Sequence, residues 1–345
     1  MFIIIISLLL SSLIITKLLI FVFSKYNLIA EVNSRSLHND NIPTSGGISF
    51  VFLICLLFIF FDGIDNYWLI SSLFLFLFAI IGLIDDIYKI HSFFRLFYYT
   101  LIILLYLIFL DKYYLFDNII NYFNLNKIFG YFFLTVFILW FINSYNFMDG
   151  SDGFLTLHSI YVLIYLFIIS SFNSNFFYDY NYLIIYSIFI LCGFLFFNKP
   201  NAKIFMGDVG SIFLGFLIII ISFRMILDNL LTFWTFLILN SFFLIDTGQV
   251  LIVKILKKEN IFLAHNKHFY QKLIKRYWSN SNLNIHIARS QAHKKLLFFY
   301  TKYFIFFIMP IVIIAVIFHE LSFLLFLFSY ILTLLIFIAN KLFSE

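Results

Sequence analysis

Long apolar runs broken by short polar stretches repeat along almost the whole chain. They predict helices near 2 to 23, 48 to 61, 68 to 84, 96 to 110, 128 to 142, 154 to 171, 182 to 197, 211 to 227, 231 to 252, 296 to 317 and 321 to 339. A helix that crosses a bilayer needs roughly 20 mostly apolar residues. The pattern therefore predicts an all-α, polytopic integral membrane protein of about eleven (10–11) transmembrane helices. No internal repeat or low-complexity linker divides it, so residues 1–345 read as a single transmembrane catalytic domain, with 254–295 as a basic cytoplasmic loop within it. The first run has no basic residue before it and no small-residue cleavage site after it, and is read as a membrane helix rather than a signal peptide.

Composition agrees with the pattern: 63% of the 345 residues are hydrophobic and 11% are charged, far from a soluble globular mixture. Lys and Arg then set the expected orientation, because they stay on the cytoplasmic side in short loops. One set of alternate loops holds Lys25, Arg35, Lys89, Arg95, Lys199, Lys203 and the cluster from Lys254 to Lys295. The other holds Lys112 and Lys127, with Arg224 near its edge. The N-terminus is expected outside and Lys341 inside. This asymmetry, with basic side chains meeting anionic membrane lipids, accounts for the net charge of +5 without a nucleic-acid partner. Cys55 and Cys192 sit singly in apolar runs, with no metal-ligand spacing.

The outer loops carry scattered acids that ordinary solvated turns explain. Each inner loop instead holds a compact polar signature at a helix end. The first runs from Glu31 through Arg35 to His38, followed by Pro43-Thr-Ser-Gly-Gly47. Paired glycines at a helix entry admit an anion close to the backbone, and a simple turn is the alternative. The second is Asp85-Asp86-Ile-Tyr-Lys89. Two adjacent carboxylates leaving a membrane helix cost about 2 to 3 kcal/mol each if deep and call for a partner. Lys89, four residues after Asp85, shares its face on a continuing helix. A plain ion pair and a metal or proton-transfer site both remain open.

The third signature, Asn143 to Gly153, has no basic residue. Asn146, Asp149 and Asp152 are three apart and are expected on one side of a helical turn, an oxygen set suited to Mg²⁺. It does not follow the calcium-loop frame. The fourth, Asn198 to Ser211, sets Asp208 between Gly207 and Gly210 at a helix start, an arrangement suited to phosphate with a bridging cation, and lacks a Walker A sequence. The fifth, His265-Asn-Lys-His268-Phe-Tyr-Gln271, lacks the further ligands of a zinc site and suits contact with phosphate or nucleotide. His91, His158, His286, His293 and His319 lack such companions and are expected to take no part in catalysis.

All five signatures, in order from Arg35 to Gln271, resemble those of the polyprenyl-phosphate N-acetylhexosamine-1-phosphate transferases, the membrane-type glycosyltransferase family that initiates peptidoglycan, teichoic-acid and O-antigen lipid intermediates. The resemblance covers most of the chain. Asp85 and Asp86 resemble the family's Asp-Asp pair, Asn146, Asp149 and Asp152 its Asn-x-x-Asp-Gly-x-Asp-Gly loop, and Asp208 its Gly-Asp-x-Gly-Ser segment. It implies transfer of a sugar 1-phosphate from a UDP-N-acetylhexosamine to a polyprenyl (undecaprenyl) phosphate, with release of UMP. It further implies Mg²⁺, or Mn²⁺ in its place, on Asp208 and Asn146, with Asp85, Asp86 and Asp149 as catalytic carboxylates and Asp85 as the expected base.

Under the same resemblance, Asn198 and Phe205 lie near the uridine, His265 and His268 contact diphosphate or sugar, and Arg35, Lys89 and Asp152 complete substrate binding. A homodimer is also compatible with it. Two departures stand out in the first loop: Ser45 where many relatives have Arg, and Glu31-Val32 where Asp-x-Pro is common. The fifth signature lacks the three adjacent histidines of the peptidoglycan branch and looks more like the O-antigen branch. A secondary transporter is the rival reading, but transporters place membrane carboxylates near the midplane, whereas here every motif sits at an inner helix end.

Overall fold

The computed structural model describes residues 1–26, 42–60, 65–112, 117, 126–172, 179–260, 268–279 and 285–342. In chain order the helices are α1 (Phe2–Lys25), α2 (Ile48–Phe60), α3 (Asn66–Tyr88), α4 (Ser92–Lys112), α5 (Lys127–Met148), α6 (Phe154–Phe172), α7 (Asp179–Asn198), α8 (Gly207–Leu227), α9 (Phe233–Leu239), α10 (Ser241–Leu256), α11 (Phe269–Ser279), α12 (Ile285–Tyr303), α13 (Met309–Ile317) and α14 (Ser322–Leu342). A π turn, Phe304–Ile308, joins α12 to α13.

The protein is a multi-pass membrane protein, but the described residues hold nine helices long and apolar enough to cross a bilayer, or ten if α9 and α10 count as one span. Two expected spans account for the difference from eleven. Among the described residues, the run at 48 to 61 forms α2 over 13 residues, or about 20 Å at 1.5 Å per residue, short of the ~30 Å hydrocarbon core. The run at 231 to 252 is broken, with α9 and α10 meeting at 81°. Asn240 sits at the break. Its Nδ2 donates to the Phe236 carbonyl at 2.9 Å and its Oδ1 accepts the Tyr145 hydroxyl at 2.7 Å, so a side chain satisfies backbone that the helix has released. His158, on α6, joins this cluster through the Tyr300 hydroxyl, 2.5 Å from Nδ1. It is a buried staple between helices.

The centre of the bundle is α8, almost wholly buried and apolar on every side, as a helix surrounded by other helices must be. It packs against α3 and α5. Phe216 of α8 meets the rings of Phe78 on α3 and Tyr106 on α4, with centroids 4.6 and 5.2 Å away. The far end of α8 is fixed by Arg224, which pairs with Asp228 at 3.1 Å and also with Asp65. Asp65 additionally caps α3 by accepting the Trp68 N–H at 3.1 Å. Because α3 and α5 end where α8 begins, the polar helix ends of three separate signatures come together at the opposite end of the bundle.

Candidate active site

Asp86 stands in the last turn of α3 and reaches across to α8. Its Oδ1 accepts the Asp208 N–H at 2.8 Å and its Oδ2 the Val209 N–H at 3.3 Å. A carboxylate of one helix thus caps the N-terminus of another, where unpaired N–H groups and the helix dipole favour negative charge. The close approach needs Gly82, where a Cβ would lie 2.7 Å from the Asp208 carbonyl oxygen. It also needs Gly207, which has φ +72° and no room for a side chain against the Asp86 carboxylate. The strand-like stretch before α2 docks on the same turn. Phe205 donates its N–H to the Pro43 carbonyl at 2.8 Å, and Gly46 and Gly47 donate theirs to the carbonyls of Phe205 and Met206 at 2.8 and 2.9 Å. The first and fourth signatures are therefore one joined backbone unit.

Arg95, at the start of α4, ties the second signature to the fourth. Its Nη1 lies 2.7 Å from Asp85 Oδ2 and 2.9 Å from Asp208 Oδ2. Asn146 Nδ2 donates to the same Asp208 oxygen at 3.0 Å, which leaves the amide oxygen of Asn146 as an acceptor. The ion pair of Asp85 with Lys89, one of the two alternatives left open by the sequence, is not the arrangement found. α3 stops at Tyr88, Lys89 turns into the left-handed region at φ 51°, and Arg95, a residue that sequence separation hides, takes Asp85 instead. Lys89 is not on the cavity wall.

A cavity of about 320 Å³ opens over this junction, lined by Asp86, Asn146, Asp149, Asp152, Phe205 and Asp208, together with Thr44, Tyr270, Gln271 and His293. Asn146, Asp149 and Asp152 meet here, though not on one helical turn. α5 ends at Met148 and Asp149 is its C-cap, while Asp152 lies in the turn before α6. The Asp152 carboxylate accepts the N–H groups of Asn201 and Ala202, each at 3.2 Å, and so anchors the loop that leads to Asp208. Asp149 keeps part of its surface toward the cavity and is otherwise enclosed by protein. This desolvation, with the charges of Asp208 and Asp86 nearby, holds its carboxyl well above the usual carboxylate range.

Other expected contacts fall elsewhere. Asn198 is buried and fully engaged, accepting from the Thr156 hydroxyl at 2.8 Å and donating to the Ile204 carbonyl at 2.9 Å. It shapes the loop and does not line the cavity. His268 is also buried, its ring packed near Phe147 and Tyr270 and its Nδ1 3.4 Å from Asp246 Oδ1. Arg35 and His265 lie outside the described residues. His293, expected to be idle, lines the cavity instead. Its Nδ1 accepts the Asp152 N–H at 3.3 Å and lies 2.8 Å from the Ser151 hydroxyl, which places the proton of the neutral ring on Nε2.

Asp246 is a further residue that the motifs did not reveal. It is buried on α10 and accepts the N–H groups of Phe269 and Tyr270 at 2.8 and 3.3 Å. It thereby caps α11, whose first turn brings Tyr270 and Gln271 to the cavity wall. Losing such a cap costs about 0.5–2 kcal/mol. Asp246→Ala should lower turnover about tenfold with a modest drop in melting temperature, measured on the detergent-purified protein. Unchanged turnover would remove its positioning role.

Fold and site together define a polytopic membrane protein with a carboxylate-lined cavity at one end of its bundle. Residues 68–226 match the model of glycosyl transferase family 4, and this stretch carries Asp85, Asp86, Asn146, Asp149, Asp152 and Asp208. A phospho-N-acetylmuramoyl-pentapeptide-transferase of Streptococcus thermophilus is 37% identical over 70 residues, 20% of this chain and 19% of that protein. A probable undecaprenyl-phosphate N-acetylglucosaminyl 1-phosphate transferase of Bacillus subtilis is 37% identical over 84 residues, 24% of each chain. A phospho-N-acetylmuramoyl-pentapeptide-transferase of Buchnera aphidicola is 40% identical over 97 residues, 25% of this chain and 27% of that protein. The stretch 68–226 is thus a glycosyl transferase family 4 segment, the family read from the motifs. The matches span about a fifth to a quarter of the relatives' length and include two of its branches.

Proposed function

We propose that the protein transfers an N-acetylhexosamine 1-phosphate from a UDP-sugar to a polyprenyl phosphate in the cell membrane, releasing UMP, as the first membrane step of a cell-surface glycan. The observation that carries this reading is the convergence of Asp86, Asp149, Asp152 and Asp208, from separate helix ends, on one cavity that no Lys or Arg lines among the described residues. Such a cavity repels a diphosphate unless a cation enters with it. The basic loops cluster at this same end of the bundle, which supports a cytoplasmic-facing site.

The donor set fits Mg²⁺, and Mn²⁺ equally, because it consists of hard oxygens. Among the described residues, no three of His, Cys, Asp and Glu form a ready metal cage. That suits an ion which takes one or two carboxylates and completes its shell with water and substrate phosphate. Asp208 and the amide oxygen of Asn146 would hold it. When bound, it supplies charge neutralisation at the diphosphate oxygens.

In the reaction, an oxygen of the lipid phosphate forms a bond to the β-phosphorus of the UDP-sugar. The bond from that phosphorus to the bridging oxygen breaks, and its electron pair leaves with UMP. One diphosphate replaces another, so the protein's task is positioning and charge stabilisation. Asp149, on the cavity wall, is better placed than Asp85 to take a proton from a lipid monophosphate, because the Asp85 carboxylate is engaged by Arg95. The transporter reading loses support from the same geometry, which gathers the acids at helix ends. A panel of UDP-N-acetylhexosamines assayed with undecaprenyl phosphate in detergent tests the reading. UMP release that requires both lipid phosphate and Mg²⁺ is expected, and absence of release across the panel would refute it.

A further inference from the structure

A second cavity lies on the other side of the first turn of α11. It measures about 590 Å³ and sits between α10, α11 and the end of α14. Its charge is opposite to that of the acidic cavity. Lys254, Lys257, Lys272 and Arg276 line it, and Asp246 is the single acid on its wall among the described residues. Both oxygens of Asp246 are already engaged by the N–H groups that start α11. Lys257 and Lys272 are exposed at the mouth, while Lys254 is buried.

The wall is also partly apolar. Val253 and Phe337 line it, and Phe269 stacks on Phe337 at 3.9 Å with 12° between the rings, joining α11 to α14. Within the groove itself, Val253 of α10 and Ile338 of α14 are exposed by 41 and 51%, apolar surface that suits acyl chains. Cations converging beside the exposed apolar surface of Val253 and Ile338 match a ligand with an anionic head and an apolar tail. A soluble phosphate would gain nothing from the second feature.

We propose that this groove binds the headgroup of an anionic phospholipid, with its acyl chains over Val253 and Ile338, and that the bound lipid steadies α11. Lys272 and Arg276 contribute to the groove from the same helix whose first turn presents Tyr270 and Gln271 to the acidic cavity. Occupancy should therefore raise turnover, an effect that rests on the transferase reading, whereas lipid binding does not.

The test uses native mass spectrometry of the purified full chain with phosphatidylglycerol, phosphatidylcholine or glycerol 3-phosphate. The wild-type protein should retain one more phosphatidylglycerol than Lys257→Gln/Lys272→Gln, should not show this difference with phosphatidylcholine, and should not lose the lipid to glycerol 3-phosphate. Both lysines are exposed, so the variant should melt like the wild-type protein, and Lys112→Gln/Lys302→Gln, which removes two exposed charges outside the groove, serves as a charge-matched control that keeps the lipid. Equal phosphatidylglycerol retention by wild type and double variant would overturn the proposal, and so would displacement by glycerol 3-phosphate, which would identify a soluble phosphate ligand. In nanodiscs, adding phosphatidylglycerol to phosphatidylcholine should raise wild-type UMP release several-fold and leave the variant unchanged. A protein that binds the lipid but releases no UMP in any membrane would count against the transferase reading and not against the groove.

Discussion

Asp208→Asn should abolish sugar-phosphate transfer, lowering kcat by about 10³-fold, the scale seen when one preorganised electrostatic contact to developing charge is removed, while the protein still inserts, extracts and melts normally. The expectation follows from where the residue sits. Asp208 is held at the mouth of α8 by Arg95 and Asn146 on one oxygen, and its backbone N–H is held by Asp86. An asparagine keeps the shape and can still accept the Arg95 N–H, so the fold should tolerate it. What disappears is a negative charge at the point where three helix ends meet. Turnover like that of the wild type would remove Asp208 from the reaction.

Arg95→Met should be damaging in a different way. The guanidinium bridges Asp85 and Asp208 at 2.7 and 2.9 Å, with side chains only 22, 7 and 23% exposed for Arg95, Asp85 and Asp208. Removing one partner of a largely buried pair typically costs about 3–5 kcal/mol, because the remaining charges are left uncompensated. Here two carboxylates would be left beside Asp86. We expect a melting temperature lower by several degrees and loss of transfer, with Arg95→Lys recovering most of the melting temperature and only part of the turnover, since a single ammonium lacks the guanidinium's fixed fork of donors. A melting curve for Arg95→Met that superimposes on the wild type would show that the bridge is unimportant to the fold.

The parts of this site visible in the sequence were those written into contiguous helix ends. Apolar runs of bilayer length located the helices, and the polar breaks picked out Asp85, Asp86, Asn146, Asp149, Asp152 and Asp208, which the structure gathers into one neighbourhood. What sequence spacing missed is set by where helices stop. Regular i, i+4 logic put Lys89 on the face of Asp85 and left their pairing open, and i, i+3 logic put Asn146, Asp149 and Asp152 on one turn. Both assume a continuing helix, and α3 and α5 end at Tyr88 and Met148. Arg95, Asp246 and His293 stayed hidden because their partners are far away in the chain. Arg95 reaches a residue 113 positions on, and His293 meets Ser151 across 142. Asn198 shows the reverse: it belongs to a recognisable motif, yet its side chain is consumed in holding the loop.

The most direct test of the central claim is the binding of Mn²⁺ to the purified protein, followed by electron paramagnetic resonance and competed with Mg²⁺. If Asp208 and Asn146, from separate helices, hold a single divalent ion, one equivalent of Mn²⁺ should bind, Mg²⁺ should displace it, and Asp208→Asn should lose it. Stoichiometric Mn²⁺ binding that survives Asp208→Asn unchanged, or no binding by the wild-type protein even with UDP-sugar present, would contradict the account.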